Sequence, residues 1–239
     1  CGFFIPYEAT GNATWDKHRF QHNDFQPVTC ISWTEAKQYA AWLSKKTGIV
    51  YRLPTEQEYE YALKAGTTSR FYWGDDEAGS QACKYGNFAD HSGEYFPSVE
   101  YGASYNGFLT IANCDDGEAY NSLVGLYRPN PFGLYDMVGN VAQYTSSCYY
   151  EGYQARTEVE RDTQQREYRS QRGGTWQFPP QPHADRGRTK RMDDTEWALM
   201  GFRLASDGHH HSVDDSTTTF ERELNVAQSQ YLAKRVLIP

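Results

Sequence analysis

Residues 67–123 constrain the fold more than any other part of the chain. They are rich in Gly, Asp, Asn and Tyr and carry no sustained apolar period, neither the alternation of a strand nor the three-to-four spacing of a helix. Loops in compact domains rarely exceed about 12–15 residues without structure of their own. So long a stretch must be held by something other than a backbone ladder. Its many Asp and Asn residues point to bound cations, because hard ions take their oxygens from irregular acidic loops.

On either side the pattern becomes regular. Residues 34–47 (TEAKQYAAWLSKKT) space Ala36, Tyr39, Ala40 and Leu43 as one helical face, with Thr34 as the expected cap and Gly48 as the stop. VYRLP is a short strand ended by Pro54. Thr55 then opens a second helix, where Thr55 and Glu58 have capping-box spacing and Gly66 closes the end. Tight-turn signals (PNPFG, VGN) interrupt residues 125–145, and residues 151–171 are charged enough to be a surface excursion. RGGTW and GFRLA, within 172–205, read as strand. The tail carries His209, His210 and His211, a Ser/Thr patch and an amphipathic end suited to a docking helix. These features predict an α+β fold with two helices, short twisted antiparallel strands and much irregular loop. The expected division is one domain over 1–206 and a tail over 207–239.

Composition narrows the function. Among the 239 residues are 19 Tyr and 6 Trp, so rings can fill a core that is only 38% hydrophobic overall. The net charge of −8 argues against a nucleic-acid partner. No run approaches the roughly 18 apolar residues of a membrane span. Cys1, Cys30, Cys83, Cys114 and Cys148 form no CxxC pair and no zinc spacing. An odd count leaves at least one thiol free, and one disulfide is expected if the compartment is oxidising. Cys1–Gly2 would suit a lipid-bearing cysteine, although the residues after it read as domain interior.

Six motifs follow one another: PVTCISWTEAKQYAAWL (27–43), YRLPTEQEYEYALKAG (51–66), FYWGD (71–75), NPFGLYDMVGN (130–140), RGGTW (172–176) and GFRLA (201–205). In this order they resemble the formylglycine-generating-enzyme-like, or sulfatase-modifying-factor, family, whose fold is related to the C-type lectins. The family includes enzymes, a pyoverdine-maturation branch and non-catalytic bacterial proteins. The resemblance covers roughly residues 15–206. It implies that opening strands precede the segment FIPYEATGN.

The resemblance also directs attention to particular residues. True formylglycine-generating enzymes bind copper(I) through two cysteines after the Gly-Gly pair, thiolates being the ligands that select that metal. Here those positions are Phe178 and His183, and Thr175 replaces the usual Ser. No copper is expected, and His183 is the one catalytic candidate. Calcium is expected instead, at two sites. The first would take Asn87, the Phe88 carbonyl, Asp116 and Glu118, with Asp115 adjacent. The second would take Asp136, the Gly139 and Val141 carbonyls and Gln143, binding more weakly because Gln stands where the family has Glu. Two family tryptophans become Ala142 and Tyr144. That change predicts a broad cleft lined by Trp73, Tyr144, Thr175, Trp176, Phe178, His183, Arg186 and Arg191. His18, His22 and Asp24 match an iron-binding pattern, but without a helix to aim them they read as a surface loop.

The expected function is a calcium-stabilised, non-catalytic domain, a pseudoenzyme of bacterial type, that presents the cleft to a protein, peptide or small molecule. An oxidoreductase of the pyoverdine-maturation kind and a carbohydrate-binding lectin-like module are the alternatives. A periplasmic or extracellular location fits better than a cytoplasmic one.

Overall fold

The computed structural model describes residues 14–17, 23–92, 111–149, 168–180, 189–192, 194, 196–208 and 215–235. Helix α1 spans Trp33–Thr47 and is capped by Ser32, not by Thr34. The Ser32 hydroxyl accepts the Glu35 N–H at 3.2 Å, and the Glu35 carboxylate accepts the Ser32 N–H at 2.7 Å. A capping box needs an acceptor three residues after the cap. Ser32 has Glu35 there, whereas Thr34 would have Lys37. Gly48 ends the helix at φ 76° and donates to the Ser44 carbonyl.

Strand β1 (Tyr51–Arg52) leads to α2 (Glu56–Lys64), which begins with the expected Thr55–Glu58 box. It ends on Ala65 at φ 47°, followed by Gly66 at φ 80°, so the left-handed turn starts one residue before the expected stop. The next stretch holds one short 3₁₀ turn, Ala82–Lys84. The remaining strands are β2 (Ala142–Cys148), β3 (Tyr168–Arg172), β4 (Thr189–Met192), β5 (Met200–Phe202) and β6 (Ala205–Ser206).

Four strands form one sheet in the order β4-β3-β2-β5, and β1 pairs with β6 in a separate two-stranded ladder. All pairings are antiparallel except β2 with β5, which run parallel from Ala142↔Met200 to Tyr144↔Phe202. RGGTW is therefore not one strand. β3 stops at Arg172, and Gly173 and Gly174 turn at φ 97° and 75°. A side chain on Gly173 would collide with the Tyr59 hydroxyl, so close approach accounts for that glycine.

The sheet and helices enclose two apolar clusters. Tyr59 and Leu63 of α2 pack with Tyr72, Phe88 and Met137 in one. Trp33 and Ala36 of α1 pack with Leu53, Tyr144 and Met200 in the other. Each large side chain so buried contributes about 1.5–3 kcal/mol. Between α2 and β3 lies a fully buried guanidinium. Arg172 pairs with Glu56 at 3.1 Å and with Glu60, and Ser170 donates to Glu56 at 2.7 Å. The motif position before Gly-Gly is thus an internal ion pair.

A disulfide joins Cys83 to Cys114, 31 residues apart, and Cys30 is disulfide-bonded as well. The single expected bridge is exceeded. Helix α3 (Asp215–Arg235) touches the domain through Phe220, whose ring is 5.7 Å from that of Phe25, and through Gln228, which donates to the Val124 carbonyl at 2.6 Å. Among the described residues no helix is long and apolar enough to cross a membrane.

Candidate functional site

Two arms of the long irregular stretch, 83–92 and 111–118, lie side by side. Ala112 N–H donates to the Ala89 carbonyl at 2.8 Å, His91 N–H donates to the Cys114 carbonyl at 3.4 Å, and the disulfide fastens the same two arms. Asn87 is 0% exposed. Its Nδ2 donates to the Tyr120 carbonyl at 2.6 Å, while its Oδ1 is buried and accepts no hydrogen bond. Phe88 is buried beside it.

Asp116 is 1% exposed. One carboxylate oxygen accepts the Glu118 N–H at 2.8 Å, the other the Tyr127 hydroxyl at 3.0 Å. Burial, then the neighbouring Asp90 charge, holds its pKa well above the usual carboxylate range. Asp90, also buried, accepts the Asp116 N–H at 2.6 Å. Oxygens of Asp90 and Asp116 lie within 4.8 Å of each other and of Cys83 Sγ, and that sulfur is spent in the disulfide. Orphaned oxygen, buried carboxylates and all-oxygen donors fit a hard cation. The sequence-predicted set Asn87, Phe88, Asp116 and Glu118 is therefore gathered on two adjoining arms. The closeness of Asp90 to Asp116 was not expected, since an Asp in an acidic loop has no spacing to distinguish it.

The second predicted set differs. Asp136 sits at φ 51°, a conformation that Asp tolerates better than most residues. Its Oδ2 accepts the Gly125 N–H at 2.6 Å, and its Oδ1 is buried without a donor. Burial raises its pKa, and the Arg203 charge opposes that rise. Arg203 follows β5 and enters the site directly. Its Nη2 donates to the Tyr135 and Asp136 carbonyls at 2.9 Å each, and its Nε donates to Gln143 Oε1. Gln143 returns a hydrogen bond from Nε2 to the Asp136 carbonyl at 2.8 Å. One member of the expected set, the Gln143 side-chain oxygen, therefore faces a guanidinium. Gly139 and Val141 are buried between the two sites, and a Cβ on Gly139 would run into the Asn87 carbonyl. Asn140 N–H donates to that carbonyl at 2.8 Å, so the sites share a wall.

The aromatic cleft does not form from the rings assigned to it. Tyr144 is 0% exposed, its hydroxyl donating to the Ile31 carbonyl at 3.3 Å beneath α1. Trp176 is 3% exposed, its ring edge-on to Tyr120 at 5.5 Å and its backbone N–H donating to the Asn140 carbonyl. Both are core residues, because β2 is covered on both faces at its start and Ala142 is buried too. Thr175 is buried in a turn and accepts hydrogen bonds from Gln177 and Phe178. Trp73 is half-buried in a stack between Phe71 at 4.5 Å and Tyr85 at 5.0 Å. Phe178 is half-buried, and its carbonyl accepts the Ala89 N–H at 3.0 Å. His183 and Arg186 lie outside the described residues. Arg191 falls on β4 opposite Arg169, its side chain outside the described set. Asp24 is exposed, while His18, His22 and His209 to His211 lie outside the described residues. The free cysteine among the described residues is Cys148, at the end of β2 with Arg169 Nη1 3.1 Å from its sulfur.

Comparison with known proteins identifies the family. The sulfatase-modifying factor enzyme 1-like domain matches residues 7–208. The formylglycine-generating enzyme of Mus musculus is 30% identical over 129 residues, which cover 54% of this chain and 29% of that enzyme. The inactive Cα-formylglycine-generating enzyme 2 of Bos taurus is 31% identical over 187 residues, covering 75% of this chain and 50% of that protein. The chain thus spans half or less of the length of these curated relatives. Among solved structures, PvdO from Pseudomonas aeruginosa superposes with a TM-score of 0.60 at 31% identity, covering 79% of this chain and 64% of that one. The chain belongs to the sulfatase-modifying factor enzyme 1-like family.

Proposed function

We propose that this domain is a non-catalytic binding or regulatory module, made rigid by calcium, that presents a surface to a protein, peptide or small molecule. The residue at position 178 carries the proposal. Phe178 stands where the resemblance places the first copper-binding cysteine, and its backbone is tied to Ala89. A copper(I) site needs soft thiolates, and residues 173–188 contain no cysteine. The sole free cysteine described, Cys148, is on another element.

Calcium fits the first oxygen set, where Asn87 and Asp116 would supply side chains and Phe88 and Glu118 carbonyls. There it would neutralise buried acid and hold the two arms together. The second set, with Arg203 in place, would bind calcium more weakly. With Tyr144 and Trp176 in the core, the half-buried Trp73 and Phe178 are the remaining aromatic contributors to a binding surface. The disulfide favours an oxidising compartment, periplasmic or extracellular.

Elemental analysis of the purified protein tests the proposal. Calcium without stoichiometric copper or iron is expected, as is no conversion of a sulfatase-type cysteine peptide by copper-treated protein. One copper or iron per chain would replace it with a second reading, an oxidoreductase acting on a peptide-derived metabolite, which the likeness to PvdO favours.

A further inference from the structure

Helix α3 begins after residue 208, where the match to the family domain ends. It is an addition to the domain, and the domain has a prepared place for it. Two points hold it there. The Phe220 ring lies 5.7 Å from that of Phe25, and Gln228 Nε2 donates to the Val124 carbonyl at 2.6 Å. Those points are tied to each other by the domain's own backbone, since the Val124 N–H donates to the Phe25 carbonyl at 2.8 Å. The peptide group that receives Gln228 is also clamped at its other end. Its N–H, that of Gly125, donates to the buried Asp136 carboxylate at 2.6 Å. Hydrogen bonds in such a chain polarise one another, so the bond to Asp136 makes the Val124 carbonyl a stronger acceptor. Gly125 keeps the approach open: it sits at φ 65°, and a Cβ there would come within 3.3 Å of Gln228 Nε2.

On α3 the half-buried residues recur at helical spacing. They are Leu224, Ala227, Gln228 and Tyr231, while the residues between them are exposed. Phe220 continues the row one turn earlier. This is the i, i+3, i+4, i+7 pattern with which an amphipathic helix lies in a groove. No described side chain of α3 is buried. An element that buries so little belongs to the part of a structure that opens at low cost.

We propose that the corner made by Phe25 and the Val124–Gly125 peptide is a docking surface for an amphipathic helix of a protein partner, and that α3 fills it in cis as a displaceable occupant. The partner helix carries an aromatic ring and, two turns further on, a side-chain amide on the same face. Neither Phe178 nor a bound metal takes part in this surface, so it goes beyond the non-catalytic reading and does not depend on it.

The full-length protein with Phe220→Ala and Gln228→Ala tests this, a fluorescently labelled synthetic peptide of residues 215–235 being the probe. Circular dichroism confirms folding, and anisotropy measures binding. The double variant, its own helix loosened, should bind the peptide about tenfold or more tighter than the wild type, whose corner is filled at high effective concentration. Adding Phe25→Ala should cancel that gain, and a peptide carrying Gln228→Ala should bind as weakly as the wild-type protein binds the unaltered peptide. Equal binding by wild type and double variant, or binding that survives Phe25→Ala, overturns the assignment. So does a double variant that takes up no peptide; a fall in its melting temperature would then show α3 to be a fixed part of the domain. Wild-type dimers that exchange α3, seen by light scattering, would make the occupant a second copy and overturn it too. Each of these outcomes leaves the metal content, and with it the reading above, to be decided separately.

Discussion

The two oxygen clusters are built on one wall, Asn87 against Gly139 and Asn140, yet they resolve buried acid in opposite ways. In the cluster around Asp116 the nearest charges are Asp90 and Glu118, both acidic. In the cluster around Asp136 the nearest charge is Arg203, whose guanidinium reaches two carbonyls and Gln143. The first sets acid beside acid, and the second sets acid beside a base from its own sequence. The braces differ too. A disulfide fastens the first cluster, whereas side-chain hydrogen bonds from Arg203 and Gln143 fasten the second. The charge that faces Asp136 thus comes from far along the chain, 67 positions away.

The largest expected effect comes from cutting the covalent brace. Cys83→Ser with Cys114→Ser should lower unfolding stability by about 3.7 kcal/mol for a loop of this length. It should also weaken calcium binding, since the two arms must then be brought together by the ion. Chemical denaturation with and without calcium measures both. A stability loss with unchanged calcium affinity would separate the brace from the site.

Next in size is Asp116→Ala. A ligand bound only by the folded state stabilises it by about 2.7 kcal/mol at a hundredfold excess over Kd. Asp116→Ala should lose most of that gain while its melting temperature in chelator stays near the wild-type value, because the carboxylate removed was buried at a cost. An undiminished calcium response would place the ion elsewhere.

Much of the fold was legible because it is local. The Thr55–Glu58 box, the Gly48 stop and the spacing of Ala36 and Ala40 are each decided within a few residues, and the structure places α1 and α2 accordingly. Ser32 caps α1 in place of Thr34 because Glu35, three residues on, is an acceptor, whereas Lys37 can only donate. What sequence could not supply is pairing across distance. Nothing near Tyr144 announces that Ile31 and Met200 close over it, so a ring expected in a cleft lies in the core. Nothing near Gln143 announces Arg203, 60 positions away. Arg172 precedes a glycine pair that reads as turn, and its burial follows from Glu56 and Glu60 on a different element. Asn87 and Asp116 were singled out by the resemblance, whereas the closeness of Asp90 to Asp116 is visible only in the structure.

Arg203→Met tests the internal cation. It strips donors from the Tyr135 and Asp136 carbonyls and from Gln143, and removes the charge that faces Asp136. Leaving buried acceptors unpaired costs about 1–3 kcal/mol, and the partial exposure of Arg203 keeps the expected loss near about 2 kcal/mol. The loss should be the same in chelator and in low calcium. Full recovery on adding micromolar calcium would mean that the second cluster is a metal site of the same kind as the first.

The smallest effect, and the sharpest discriminator, is expected from Gln143→Glu. The wild-type amide does two things at once, accepting from Arg203 and donating to the Asp136 carbonyl. A carboxylate keeps the first and forfeits the second, and it adds a negative charge close to Asp136. In chelator the lost hydrogen bond and the added repulsion are offset by a stronger pairing with Arg203, for a net change below about 1 kcal/mol. In calcium the extra charge should raise the affinity of the second cluster, and a titration should show an additional equivalent of bound ion at concentrations where the wild type shows only the first. Should the wild type already bind two equivalents equally tightly, the guanidinium is not acting as the cation of that cluster. Should Gln143→Glu still bind only one, Arg203 satisfies even a carboxylate pair, and the internal ion excludes the external one outright.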